Sequence, residues 1–146
     1  MRLSTKGRYA VMAMTDLARN GAARAVSLAE IAERQEISLA YLEQLFARLR
    51  RGGLVKSVRG PGGGYRLVRT AAETHISDIV HAVEEPLRAT RCASEDHGKG
   101  CMVGGERCLT HGLWDALGQQ IERYLASVSL EDVVERRLDR DVAHAA

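Results

Sequence analysis

The chain has 146 residues, 45% apolar and 27% charged, enough for one domain with a real core or a small domain plus an extension; Phe, Trp and Tyr at 4% argue against a large aromatic-lined substrate pocket. No apolar run nears the roughly 20 residues that span a bilayer, the start Met1-Arg2-Leu3-Ser4-Thr5-Lys6-Gly7 lacks a signal-peptide core, and an odd three cysteines fit a reducing cytoplasm rather than a secreted, disulfide-stapled fold. The net charge of +2 divides unevenly: residues 1–70 carry 13 Lys/Arg against 5 Asp/Glu and residues 71–146 carry 8 against 14, so the N-terminal half is the one suited to a polyanion.

Ser4 or Thr5 is positioned to cap a first helix running to about Asn20, with Tyr9, Val11, Met12, Met14 and Leu17 as its apolar positions and Gly21 as its stop. Ser27-Leu28-Ala29-Glu30 is a capping box for a short second helix with Leu28, Ile31 and Ala32 inward. Only Gln35-Glu36-Ile37 precedes the next start signal, Ser38. Leu39, Leu42, Leu45, Phe46 and Leu49 then recur at helical spacing until Gly52-Gly53. So tight a connection predicts a helix-turn-helix. Residues 54–59 and 65–68 read as strands around Gly60-Pro61-Gly62-Gly63-Gly64, a hairpin tip. Ile76, Ile79, Val80 and Val83 predict a fourth short helix, ended by Glu84-Glu85-Pro86.

Residues 91–108 form a Gly-punctuated loop holding all three cysteines. From about Leu109, the positions Leu113, Leu117, Ile121, Tyr124 and Val128 make a coiled-coil-like stripe on one long helix, a natural dimer seam. Ser129 caps a last helix containing Leu130, Val133, Val134 and Leu138, and residues 139–146 read as a fraying tail. The expected architecture is mainly α with a small β-hairpin: a winged helix-turn-helix domain over 1–84, a metal-binding loop over 85–108, a dimerisation helix over 109–128, and a C-terminal helix and tail over 129–146.

Three motifs carry chemistry. With the leucines of the third helix inward, Ser38, Ala40, Tyr41, Glu43, Gln44, Arg48 and Arg51 point out; Gln pairs bidentately with adenine, and Arg with guanine or phosphate. An ordinary polar helix face would look similar, and it is the adjoining basic hairpin that favours DNA. In that hairpin tip, Gly60-Pro61-Gly62-Gly63-Gly64, the glycines lack side chains and permit close backbone approach to a phosphate ridge, while Arg59 suits a narrow minor groove. A nucleotide-binding loop would need a helix directly after the glycines, and a strand follows instead. The third motif is Cys92-x8-Cys101-x6-Cys108-x2-His111, three thiols and an imidazole forming a four-ligand set open to structural zinc or an iron–sulfur cluster. The absence of a Cys-x2-Cys knuckle, and long loops with Gly98, Gly100, Gly104 and Gly105, favour the larger object. His97 is a substitute ligand or simply solvated, and His75, His81 and His144 form no constellation. A Cys108–His111 thiol-enzyme pair would leave two cysteines idle, and no other catalytic set is present; the chain does not read as an enzyme.

Longer runs add a resemblance. Lys6-Gly7-Arg8-Tyr9-Ala10-Val11, Tyr41-Leu42-Glu43-Gln44-Leu45-Phe46, Ser57-Val58-Arg59-Gly60-Pro61-Gly62-Gly63-Gly64-Tyr65, Ala89-Thr90-Arg91-Cys92 and Cys108-Leu109-Thr110-His111 resemble the iron–sulfur cluster regulators of the Rrf2 superfamily of winged-helix repressors. The resemblance covers nearly the whole chain. It implies a cytoplasmic homodimer with one 2Fe-2S cluster per subunit that binds double-stranded promoter DNA, receives its cluster from assembly or carrier proteins, and represses cluster-assembly genes when loaded. By the same resemblance Cys92, Cys101, Cys108 and His111 take the ligand positions. Ser38, Tyr41 and Gln44 take base-reading positions, Arg59 the minor-groove position, and Glu43 the position that gates one class of site. Two departures stand out: both inter-cysteine loops exceed the usual family spacing, and Ala40 replaces a serine common there. Nitric-oxide-sensing relatives share the fold and three cysteines but generally lack the Cys-x2-His pairing. A nitric-oxide or redox sensor, and a zinc-stabilised winged-helix adaptor, are the alternative readings.

Overall fold

Helix α1 (Thr5–Asn20) begins where Ser4 accepts a hydrogen bond from the Gly7 amide at 3.5 Å, and ends where the Gly21 amide returns to the Leu17 carbonyl. A computed structural model describes residues 4–83 and 100–138. The expected stop at Glu84-Glu85-Pro86 and the tail 139–146 lie outside the described residues. The inward face of α1 is Ala10, Ala13, Met14 and Leu17, all fully buried, whereas Tyr9, Val11 and Met12 only pack against the core from its edge.

Helix α2 (Leu28–Gln35) carries the predicted capping box in full. Ser27 Oγ accepts from the Glu30 amide at 3.2 Å, and the Glu30 carboxylate accepts from the Ser27 amide at 2.9 Å. Arg24 adds a bidentate clasp to the same carboxylate at 2.6 and 3.2 Å. Hydrogen bonds from Arg24 and then Ser27 hold the Glu30 pKa down at about 2. The turn into the next helix is made by Glu36 in the left-handed region (φ 54°), with the Ile37 amide donating back to the Ala32 carbonyl. Buried Ile37 then anchors the connection.

Helix α3 (Leu39–Arg51) starts at Ser38, whose Oγ accepts from the Tyr41 amide at 3.2 Å. Leu42, Leu45, Phe46 and Leu49 are buried as expected. Leu39 is not: it is 44% exposed, because its place in the first turn carries it past the elements that cover the rest of the stripe. Strands β1 (Val55–Val58) and β2 (Gly64–Leu67) pair antiparallel, Val55 opposite Leu67 and Val58 opposite Gly64. β1 is two residues shorter than the sequence expectation and β2 begins and ends one residue earlier, and Val58 and Val68 are exposed. The tip is a type II turn: Pro61 follows Gly60, Gly62 takes φ 72°, and the Gly63 amide donates to the Gly60 carbonyl at 2.9 Å.

Helix α4 (Ile76–Ala82) packs Ile76, Ile79 and Val80 into the same core. Helix α5 (His111–Ser127) begins two residues later than expected and buries none of its residues. Val128, expected at the end of the α5 stripe, lies beyond the helix in extended backbone. Its side chain is buried and its carbonyl accepts from the Ile76 amide at 2.9 Å, so it belongs to the core. Helix α6 (Leu130–Val134) has its own capping box from Ser129 and Asp132. It is shorter than expected: Arg136 adopts φ 56° and the Arg137 amide donates to the Asp132 carbonyl, a left-handed stop that leaves Leu138 outside the helix. No helix among the described residues is long and apolar enough to cross a membrane.

One feature of the core had only a faint signal in the sequence. Asp16, in the middle of the apolar face of α1, is 4% exposed. Arg34 donates to its carboxylate at 2.7 and 3.0 Å, and Gln35 at 2.8 Å. Burial by itself would raise the Asp16 pKa, but the hydrogen bonds from Arg34 and Gln35 and the guanidinium charge outweigh it and hold the group below its ordinary value. This cluster ties the end of α2 to α1.

Candidate functional site

Helix α3 and the hairpin turn the same sequence stretch outward. Ser38, Ala40, Glu43, Gln44 and Arg51 are exposed, and Tyr41 and Arg48 are half-buried. Ser38 combines two tasks, since its oxygen caps the helix while its O–H remains a donor. At the tip, Arg59, Gly60, Pro61 and Gly62 are all exposed. The hairpin is not a loose flap. Tyr65 exchanges both backbone hydrogen bonds with Val26, at 2.7 and 3.0 Å, and its ring meets Phe46 of α3 edge-on at 4.9 Å. A Cβ on Gly64 would collide with the Val26 backbone, so glycine is required there. Arg66 adds a hydrogen bond to the Ala23 carbonyl at 3.3 Å. The hairpin and α3 are therefore packed against each other and tied to the segment before α2.

The cysteine segment is organised differently. Backbone hydrogen bonds from Gly100 to Gly105, Met102 to Glu106 and Gly105 to Met102 fold residues 100–106 into a closed turn. That turn brings Cys101 Sγ to 3.2 Å from His111 Nδ1. The pair nearly matches the S···N edge of a tetrahedral metal ion, about 3.6 Å for bonds of about 2.3 and 2.1 Å. Cys108 lies just ahead, its carbonyl accepting from the His111 amide at 3.0 Å and its Sγ 3.6 Å from Thr110 Oγ1. Cys101 is exposed, while Cys108 and His111 are half-buried. Cys92 and His97 lie outside the described residues, and among the described residues no three His, Cys, Asp or Glu side chains converge on one point. A thiol and an imidazole already adjacent, with a second thiol on the approach to the same helix, fit a metal–sulfur group.

A family model of the Rrf2 iron-dependent transcriptional regulators matches residues 3–136. The chain belongs to the Rrf2 family. Its relatives include the HTH-type transcriptional regulator IscR of Xenorhabdus nematophila, 53% identical over 98% of this chain and 85% of that protein. Among solved structures, IscR of T. potens superposes with a TM-score of 0.75 at 38% identity, covering 100% of this chain and 93% of that one. CymR, the global cysteine regulator of B. subtilis, superposes with a TM-score of 0.77 at 34% identity, covering 93% and 98%. As a member of the Rrf2 family the protein is a DNA-binding transcriptional regulator and not an enzyme, with the mainly helical, winged architecture expected from the sequence.

Sequence reasoning overlooked two residues that bear on this surface. Tyr9 of α1 packs edge-on against Tyr41 at 5.9 Å, and Asp16 fixes α2 beneath the turn. For Asp16 the available signal was a carboxylate at a core-facing position of an amphipathic helix; for Tyr9 it was only helical spacing.

Proposed function

We propose that the protein is a homodimeric repressor of iron–sulfur cluster assembly genes that follows cluster supply. Each subunit holds one 2Fe-2S cluster through Cys92, Cys101, Cys108 and His111, loaded by assembly or carrier proteins in the cytoplasm. The supporting observation is the contact of 3.2 Å between Cys101 Sγ and His111 Nδ1 at the head of α5, the helix with exposed Leu113 and Tyr124. Bound there, the cluster supplies a redox-labile, supply-dependent charge. The chain supplies everything else. The turn at 100–106 delivers Cys101, the first residue of α5 provides His111, and the imidazole donates less charge to a metal than a thiolate does. Ligation therefore joins the loop to the apolar face of α5, the seam on which two copies meet.

At the other end, Ser38, Tyr41, Gln44 and Arg48 face base edges and phosphates in a major groove. Arg59, carried by Gly60-Pro61-Gly62, enters the neighbouring minor groove. Glu43, exposed among them, accepts hydrogen bonds but donates none, so it penalises purine N7 and O6 and tolerates cytosine N4. That makes it the gate between site classes. The functional units are 1–84 for DNA, 85–108 for the cluster, 109–128 for the dimer, and 129–146 as helix and tail.

Anaerobic purification tests the cluster. Wild-type protein should be red-brown with about one iron per sulfide. His111→Ala should load poorly, and His111→Cys should keep a cluster and hold it longer against chelators. Colourless protein containing zinc, or full loading of His111→Ala, would overturn the assignment.

A further inference from the structure

Tyr41 is the least ordinary member of the outward face of α3. Its neighbours Ala40, Glu43 and Gln44 are exposed, yet Tyr41 is half-buried and packed against the core. Two contacts hold it. Its amide donates to Ser38 Oγ at 3.2 Å, which fixes the backbone of the first turn. Its ring meets Tyr9 at a centroid distance of 5.9 Å and an interplanar angle of 80°, the edge-to-face geometry that aromatic quadrupoles favour. Tyr9 is itself half-buried against the core on α1, one residue before fully buried Ala10, so it provides a fixed wall. A phenol has few torsions, and with its ring clamped, the direction of the Tyr41 hydroxyl is set from α1, outside the helix-turn-helix.

We propose that Tyr9 is a positioning residue that aims Tyr41 at the bases, and so sets sequence discrimination rather than overall affinity for DNA. This rests on the reading of α3 as the base-contacting helix. A side chain held in one geometry rewards one base and rejects others, whereas a free one satisfies several with similar cost. Non-specific affinity comes mostly from cations on the phosphates, and neither ring of the Tyr9–Tyr41 pair carries a positive charge, so that affinity should respond little to the pair.

The test is selection of a randomised duplex library of roughly 30 base pairs, long enough for two half-sites, by full-length protein, with alternating A/T duplex as the non-specific probe. Tyr41→Ala should flatten the preference at particular base pairs. Tyr9→Leu should flatten the same base pairs, by about 3–10-fold on the scale of an edge-to-face aromatic pair, while affinity for the non-specific duplex stays within about 2-fold. Tyr9→Phe, which retains the ring, should restore the preference. If Tyr9→Leu fails to fold, Tyr9→Met fills similar space without the ring and is read the same way. Preference preserved in Tyr9→Leu alongside loss in Tyr41→Ala would overturn the role of Tyr9 alone. Damage by Tyr9→Phe equal to that by Tyr9→Leu would also overturn it, since the hydroxyl and not the ring would then be the working part. Unchanged preference in Tyr41→Ala would defeat the base-reading assignment together with the inference built on it.

Discussion

Residues 4–83 bury Met14, Leu17, Ile31, Leu42, Leu45, Phe46 and Ile79 almost completely, whereas α5, the longest helix among the described residues, buries none of its residues. Leu113 and Tyr124 on α5 are 59% and 55% exposed, and Met102 and Val103 beside Cys101 are also open. The helices and hairpin of residues 4–83, the head, thus hold nearly all of the core, which Val128 and Leu130 complete. Helix α5, the stalk, touches that core only from its edge, through Leu125, and the apolar face it leaves open over 17 residues is the one the proposed dimer would cover. The chemistry divides along the same line. Ser38, Tyr41 and the wing are fixed by caps, rings and backbone bridges, while in the cysteine segment the described donors that meet are Cys101 and His111.

The largest expected effect comes from placing charge on the stalk alone. The double substitution Leu113→Asp with Tyr124→Asp should convert a dimer to monomers in sedimentation. It should lower affinity for a two-half-site duplex by about 100-fold or more, since one tethered contact is lost, yet leave the thermal transition of the head in place. Loss of the head's transition as well would erase the distinction between the two regions.

Next in size is the Asp16 cluster, which belongs to the head. Arg34→Met leaves a buried carboxylate short of its main partner and should cost about 2–3 kcal/mol in denaturant unfolding at neutral pH. The sign of the pH dependence follows from the lowered pKa. The contribution is complete above the unfolded value of 3.8 and fades as the pH falls through the lower folded value. The gap between wild type and variant should therefore narrow below about pH 4; a gap constant with pH would remove the ion pair as its cause.

Smaller again is the wing. Arg59→Ala should weaken binding to specific sites by comparable factors and reduce the slope of log affinity against log salt by about one unit. Identical salt series for the two proteins would place the hairpin away from DNA.

Much of the head was legible because its signals are local. Ser27 with Glu30, Ser38 before a leucine stripe, and Gly60-Pro61-Gly62 each specify a conformation within four residues. Glu36 and Arg136 were not, because left-handed stops usually announce themselves with glycine and here do not. Leu39 misleads because spacing reports the angle around a helix, not the position along it. Val128 fits the α5 stripe by count, but the helix ends at Ser127 and the chain turns into the head. In the cysteine segment, donor types were readable from the sequence. That Cys101 meets His111 depended on a glycine turn at 100–106 that the sequence indicates only by composition.

The most direct measurement compares the operator preference of one preparation before and after the iron is removed. Iron-loaded and chelator-stripped protein would each select from the same randomised duplex library, with Glu43→Ala stripped protein as a third sample. Two different preferences are expected for the loaded and stripped forms, with Glu43→Ala stripped protein recovering sites otherwise selected only when loaded. Identical preferences and affinities in loaded and stripped protein would contradict a stalk that senses and a head that reads.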